Sequence, residues 1–173
     1  MKTYQVLSVA ALAAVALTAT VRAGGDKVVF PENYAKGVLY TTVDRADNKQ
    51  YRELYSTPEA IAALKAGRPI PSGTVLTLMA YKAKLAADGN PEKDANGRFI
   101  KTDEIVFIGV MEKRIGWGTE YGDDIRNGEW EYQAFKADKS VNDKAVLKNC
   151  FTCHKPLDKQ DFVFSFDKMK TAK

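Results

Sequence analysis

Every cysteine and histidine of this chain falls within five consecutive residues, Cys150-Phe151-Thr152-Cys153-His154. The C-x-x-C-H spacing is that of covalent haem attachment. Each thiol can add across one haem vinyl group to form a thioether, and two intervening residues span the distance between the vinyls. The histidine that follows lies under the iron and offers a neutral imidazole nitrogen, a normal axial ligand. Three other chemistries use cysteines at this spacing. Tetrahedral zinc needs four ligands, and no further cysteine or histidine exists to complete the set. A thioredoxin-type dithiol belongs in a βαβ setting, not about twenty residues from the C-terminus. A disulfide across so small a loop would stabilise little. The pattern therefore predicts one covalent haem c, with Cys150 and Cys153 as anchors and His154 as the metal ligand.

With one histidine in the chain, bis-histidine coordination is impossible within a single copy. A sixth ligand could come from Met79, Met111, Lys82 or Lys84; otherwise one side of the iron stays open. An open haem binds small ligands, whereas a closed six-coordinate haem mainly carries electrons.

The residues that must position this motif read as a mixed sheet and helix domain. Lys36 to Asp44 is rich in β-formers and Ala46-Asp47-Asn48 ends it as a turn. Thr57-Pro58-Glu59 is a helix start, with Thr57 as cap, Pro58 in the first turn and Gly67 as the stop. Thr74 to Lys84 reads as a buried strand and Glu104 to Glu112 as the returning one, with Ile105, Phe107, Gly109 and Met111 on one side. Between them, Asp88-Gly89-Asn90-Pro91 and Asn96-Gly97 mark a turn-rich connection. Glu129 to Phe135 alternates as a further strand; Val141 to Leu147 and the cysteine motif read as helical. The predicted class is α+β: an antiparallel β-sheet with a few helices and a C-terminal haem-attachment segment. Small c-type electron carriers, by contrast, are all-helical and carry the motif near the N-terminus.

The first residues are not expected to join that fold. Lys2 supplies a positive start, residues 6–21 are mostly Ala, Val and Leu, and Val21-Arg22-Ala23 suits signal peptidase. Residues 1–23 are read as a signal peptide and 24–173 as one haem domain, exported to the periplasm. The apolar run is shorter than the roughly 20 residues of a spanning helix, so no membrane span is expected after cleavage. The formal charge of +4 includes Lys2 and Arg22. Lysines are interspersed with acids, which argues against a nucleic-acid partner.

With these pieces in place the sequence resembles the cytochrome P-460 family, including the cytochromes c′-beta. The resemblance covers most of the mature chain. It rests on Gly37-Val38-Leu39-Tyr40, Tyr51-Arg52, the helix from Pro58 to Gly67, Gly73-Thr74-Val75, Glu129-Trp130-Glu131-Tyr132, and Cys150 to Pro156 followed by Asp161-Phe162-Val163-Phe164. It implies a β-rich, often homodimeric protein with a five-coordinate haem, a small nitrogen compound as ligand or substrate, and a redox partner protein. Members called P-460 oxidise hydroxylamine; c′-beta members bind nitric oxide. In the former a lysine on the strand after Gly-Thr-Val is joined to the haem, and here that position is Leu78. Lys82 shares its strand parity but lies roughly 13 Å further along an extended chain. The departure tilts the expectation from oxidation toward ligand binding, and enzyme or binder stays open, as does a non-catalytic electron carrier. By the same resemblance Arg52 lies over the open face and Glu131 is a proton-relaying carboxylate. The residues alone allow another view, with Arg52 a surface group paired to Asp47 or Glu53, and Glu131 part of a solvated face beside Glu129 and Gln133. Phe162 and Phe164 are expected near the haem edge or in the core.

Overall fold

Five strands follow one another as an antiparallel meander in the computed structural model, which describes residues 26–173. The predicted signal peptide lies outside the described residues. Strand β1 is Val38–Arg45, β2 Gln50–Ser56, β3 Val75–Ala83, β4 Lys101–Lys113 and β5 Trp130–Phe135, and spatial order equals chain order. Helix α1, Pro58–Lys65, bridges β2 and β3; α2, Lys148–His154, and α3, Phe166–Lys170, follow the sheet. A 3₁₀ turn occupies Tyr34–Lys36, and a 3₁₀ segment kinked at Leu157 occupies Lys155–Gln160. The expected α+β class is the observed one.

Alternation along the strands sorts the side chains onto two faces, because directly paired residues point the same way. One face carries the row Ser56, Leu76, Met111, Tyr132 and beside it the row Leu54, Leu78, Gly109, Ala134. Helices α1 and α3 close over it, giving a core of Ile61, Leu64, Leu76, Trp130, Phe151 and Met169. The other face carries Met79, Ile108, Val110 and Phe135 and is covered by Val28, Phe30, Tyr34 and Trp117. The sheet is thus buried on both sides, which explains its lack of clean polar and apolar alternation.

Two expectations about local structure change. In β4, Ala80 pairs with Phe107 but Tyr81 pairs with Ile105, so Val106 is an extra residue. This bulge moves Ile105 onto the face of Ile108 and Val110, away from Phe107, Gly109 and Met111. The helix expected over Val141 to Leu147 does not form. Val141 bridges to Phe135 and the Asn142 amide donates to the Ala134 carbonyl, so this segment folds back along β5 and the helix starts only at Lys148. Helix α1 forms as expected, and Gly67 leaves it with φ of +70°, a conformation glycine adopts without strain. Thr57, however, contributes no side-chain cap; its Oγ1 is buried without a hydrogen bond.

Candidate functional site

Cys150 and Cys153 lie three residues apart on α2, so their side chains emerge on neighbouring positions of one helix face. Cys150 is partly buried against the core and Cys153 is exposed. Burial, then the neighbouring Cys153, raises the Cys150 pKa. Of the two residues between them, Phe151 faces inward and Thr152 is exposed. Phe151 is fully buried, its ring edge-on to Tyr121 at 5.1 Å and to Tyr132 at 4.7 Å. Asn127, also fully buried, uses its Nδ2 to donate to the Phe151 carbonyl at 2.9 Å and to the Tyr132 hydroxyl at 3.0 Å. The motif is therefore pinned to β5 through one ring and one amide.

His154 completes the constellation. Its Nδ1 lies 2.6 Å from the carbonyl oxygen of Phe162. A carbonyl only accepts, so Nδ1 carries the proton and Nε2 is left to bind a metal. Burial lowers the His154 pKa, outweighing the Phe162 hydrogen bond, and so favours the neutral imidazole that metal binding requires. The ring packs between Tyr132 at 5.1 Å and Phe164 at 5.0 Å. Phe164 is itself 59% exposed, an apolar ring held beside the imidazole at the surface. Among the described residues no three His, Cys, Asp or Glu side chains gather as a metal cluster.

The sheet beside His154 fits a haem macrocycle. Next to Tyr132 the row Leu54, Leu78, Gly109, Ala134 crosses four strands and is only half-buried. Gly109 has no side chain there, and a Cβ would meet the Phe107 ring at 3.4 Å and Leu78 Cβ at 3.9 Å. Leu78, the position expected to face the distal side, thus shares a face with Tyr132. So does Arg52, one residue pair beyond Leu54 on β2 and opposite Ala80. Its Nε and Nη2 both donate to Gln50 Oε1, at 3.0 and 2.8 Å, and the guanidinium lies over the Phe107 ring at 5.4 Å. It pairs with neither Asp47, which binds Arg45, nor Glu53, which binds Lys101 on the far face.

The candidates for a sixth ligand are dispersed. Met79 points to the far face and packs with Ile108 and Phe135. Met111 shares the face of Leu78 but is buried in the row of Tyr132, on the His154 side. Lys82 pairs with Glu104 and Lys84 with Glu92, both exposed.

Glu131 does not join Arg52 and Leu78. It precedes Tyr132 by one residue, so alternation turns it to the opposite face, opposite Glu112. Nor is it solvated: Glu131 is fully buried and Gln133 is 2% exposed, because the N-terminal segment and Trp117 cover that face. Tyr121 donates to Glu131 Oε2 at 2.9 Å; Oε1 makes no hydrogen bond and has Lys27 Nζ at 3.5 Å. Lys27 also pairs with Glu120, and Arg114 neutralises Glu112 at 2.6 Å. Burial raises the Glu131 pKa, against the Tyr121 and Lys27 contributions. The folded chain then holds this proton more tightly than the unfolded chain. From the ordinary value of 4.5 up to the raised one, stability falls as pH rises, and Glu131 helps the fold most below that window. Glu131→Gln is expected to remove this slope. Urea melts of both proteins between about pH 4 and 8 should diverge as pH rises; parallel curves would contradict the assignment.

Asn127, Tyr121 and Asp161 were not legible as site residues. Each acts through a partner distant in sequence, and no spacing rule links Asn127 to Phe151 or Asp161 to Lys113. A family model described as Cytochrome P460 matches residues 31–165, most of the chain. No curated protein gave a match.

Proposed function

The chain belongs to the cytochrome P460 family and is a haem c cytochrome, and from this premise we propose an exported protein whose open haem face binds or oxidises small nitrogen compounds. In this reading the one covalent haem is joined to Cys150 and Cys153, with His154 Nε2 on the iron. Bound there, haem c supplies an iron that accepts a small ligand and exchanges single electrons. Nitric oxide and hydroxylamine are the ligands that the family's chemistry suggests.

One observation carries the proposal of an open site. Around Leu78 the same face presents Leu54, Ala80, Phe107, Gly109 and Ala134, none of which has a lone pair for iron. The cation among them, Arg52, can donate hydrogen bonds but cannot ligate. Fixed by Gln50 and Phe107, its guanidinium would favour an anionic or polar ligand without needing to reorganise. Burial, then Arg45, lowers its pKa, yet arginine stays charged at all working pH.

Between binding and oxidation, the placement of Glu131 favours binding. A base on the far side of the sheet has no direct path to a ligand near Leu78, and Leu78 replaces the lysine that cross-links the haem in oxidising members. Oxidation would need another proton acceptor and an exported redox partner to take electrons. Export itself rests on the signal-like residues 1–23, periplasmic placement being part of this proposal.

Two measurements test the reading. Arg52→Leu is expected to weaken ferric fluoride binding about 10- to 150-fold, the worth of a charge-assisted hydrogen bond. Carbon monoxide affinity of the ferrous form, which needs no such donor, should change little. Equal losses for both ligands, or no loss for fluoride, would contradict the role of Arg52. Glu131→Gln should leave nitric oxide binding unchanged; hydroxylamine turnover that collapses in this variant would return the reading to an oxidase.

A further inference from the structure

His154 owes its orientation to a carbonyl in a loop whose backbone is unusual. Asp161 and Phe162 have φ of +48° and +60°, two consecutive left-handed residues neither of which is glycine. A bulky residue in that region is a genuine outlier, and such conformations persist only where the surroundings over-determine them. Here the surroundings can be named. Asp161 Oδ2 accepts from Lys113 Nζ at 2.6 Å, and Asp161 Oδ1 accepts from Trp130 Nε1 at 3.2 Å. Lys113 is held in turn by the Ile70 carbonyl at 3.2 Å, and Trp130 is fully buried. The Phe162 amide donates to Leu157 at 2.8 Å, and the Phe162 ring lies against Gly128, where a Cβ would stand 3.1 Å from Cε2. The Phe162 carbonyl that follows Asp161 meets His154 Nδ1 at 2.6 Å.

We propose that Asp161 is a positioning residue for the proximal imidazole: through Lys113 and Trp130 it locks the left-handed turn that aims the Phe162 carbonyl at His154. The inference rests on the reading of His154 as the axial ligand. A hydrogen-bond acceptor on Nδ1–H makes the imidazole a stronger donor to the metal, and its loss weakens the metal–histidine bond. Asp161 never touches the imidazole. It acts by keeping an acceptor in place on a loop that would otherwise relax to ordinary φ values.

The test uses the haem-loaded full-length protein, with ferrous resonance Raman for the iron–histidine stretch and redox titration for the potential. Asp161→Asn is the informative variant. It keeps a residue type that tolerates left-handed backbone and a possible acceptor for Trp130, but loses the charge that holds Lys113. Lys113→Met and Trp130→Phe each remove one of the two contacts and leave Asp161 in place. The expected result is a downshifted iron–histidine stretch and a potential raised by a tenfold change in the oxidised-to-reduced ratio, 59 mV for one electron, in Asp161→Ala. Smaller shifts of the same sign are expected in the other three. Variants that lose stability while stretch and potential stay at wild-type values would overturn the proposal, leaving Asp161 a structural residue. Should Asp161→Ala fail to fold, the same criterion applies to the three milder variants. High-spin ferrous wild-type protein with no iron–histidine stretch would overturn the axial role of His154 itself, and is distinguished by needing no variant.

Discussion

Protein carrying Cys150→Ser together with Cys153→Ser is expected to hold no haem through denaturation, while either single replacement retains one thioether. The chain has no third cysteine to substitute, so covalent attachment has no alternative route. His154 would remain with its Nδ1 tied to Phe162 and its ring between Tyr132 and Phe164. One imidazole and an apolar strip can still hold a haem reversibly, but acid acetone or urea should release it. Intact mass resolves the cases directly: polypeptide plus haem for wild type and singles, polypeptide alone for the double. Haem that remains on the denatured double variant would show that attachment uses another residue.

The second large effect concerns the ring between those cysteines. Phe151→Ala is expected to destabilise the protein by about 3–5 kcal/mol, the range for a fully buried phenylalanine. That is a large share of the roughly 5–15 kcal/mol that a domain has in total, and at about 2–4 °C per kcal/mol it lowers Tm by about 6–20 °C. The site makes the upper part of the range the better expectation. Phe151 contacts Tyr121 and Tyr132 edge-on, so two aromatic pairs go with it. Its backbone carbonyl is also the acceptor for Asn127, whose own burial is complete. Loosening α2 would expose that amide and free Cys150 from the core. Phe151→Leu, which keeps most of the volume, should cost much less. A Tm for Phe151→Ala within a degree or two of wild type would mean that α2 is not anchored as described.

How far the sequence could be read follows from which signals are local. Four of the five strands, α1 and the cysteine motif rest on short-range patterns and appear within a few residues of where those patterns place them; β2 has no such reading and enters only as Tyr51-Arg52 in the family resemblance. Gly67 and the Asp88 to Gly97 turns are of the same kind. The failures share a cause. Val141 to Leu147 has helical composition, but its backbone is claimed by β5 through Val141 and Asn142. Strict alternation in β4 breaks at a single extra residue, Val106, which nothing in the sequence marks. Glu131 shares a strand with Tyr132, so the same period of two that brings Tyr132 to His154 sends Glu131 to the far face. The polar residues of that far face allow a solvated reading beside the one the family resemblance implies. The face is buried because residues near Val28 and Phe30, remote in sequence, cover it. The site itself divides likewise: Cys150, Cys153 and His154 are legible as a motif, whereas Asn127, Asp161 and the left-handed turn at Phe162 exist only through tertiary contacts.

In the proposed function His154 would hold the iron from one side and leave the other open toward Leu78 and Arg52. The optical spectrum of the reduced protein, before and after carbon monoxide, tests it in one experiment. A high-spin ferrous spectrum that carbon monoxide converts completely is the predicted result. A low-spin ferrous spectrum unmoved by carbon monoxide would contradict it, because a sixth ligand would then close the face described here as open.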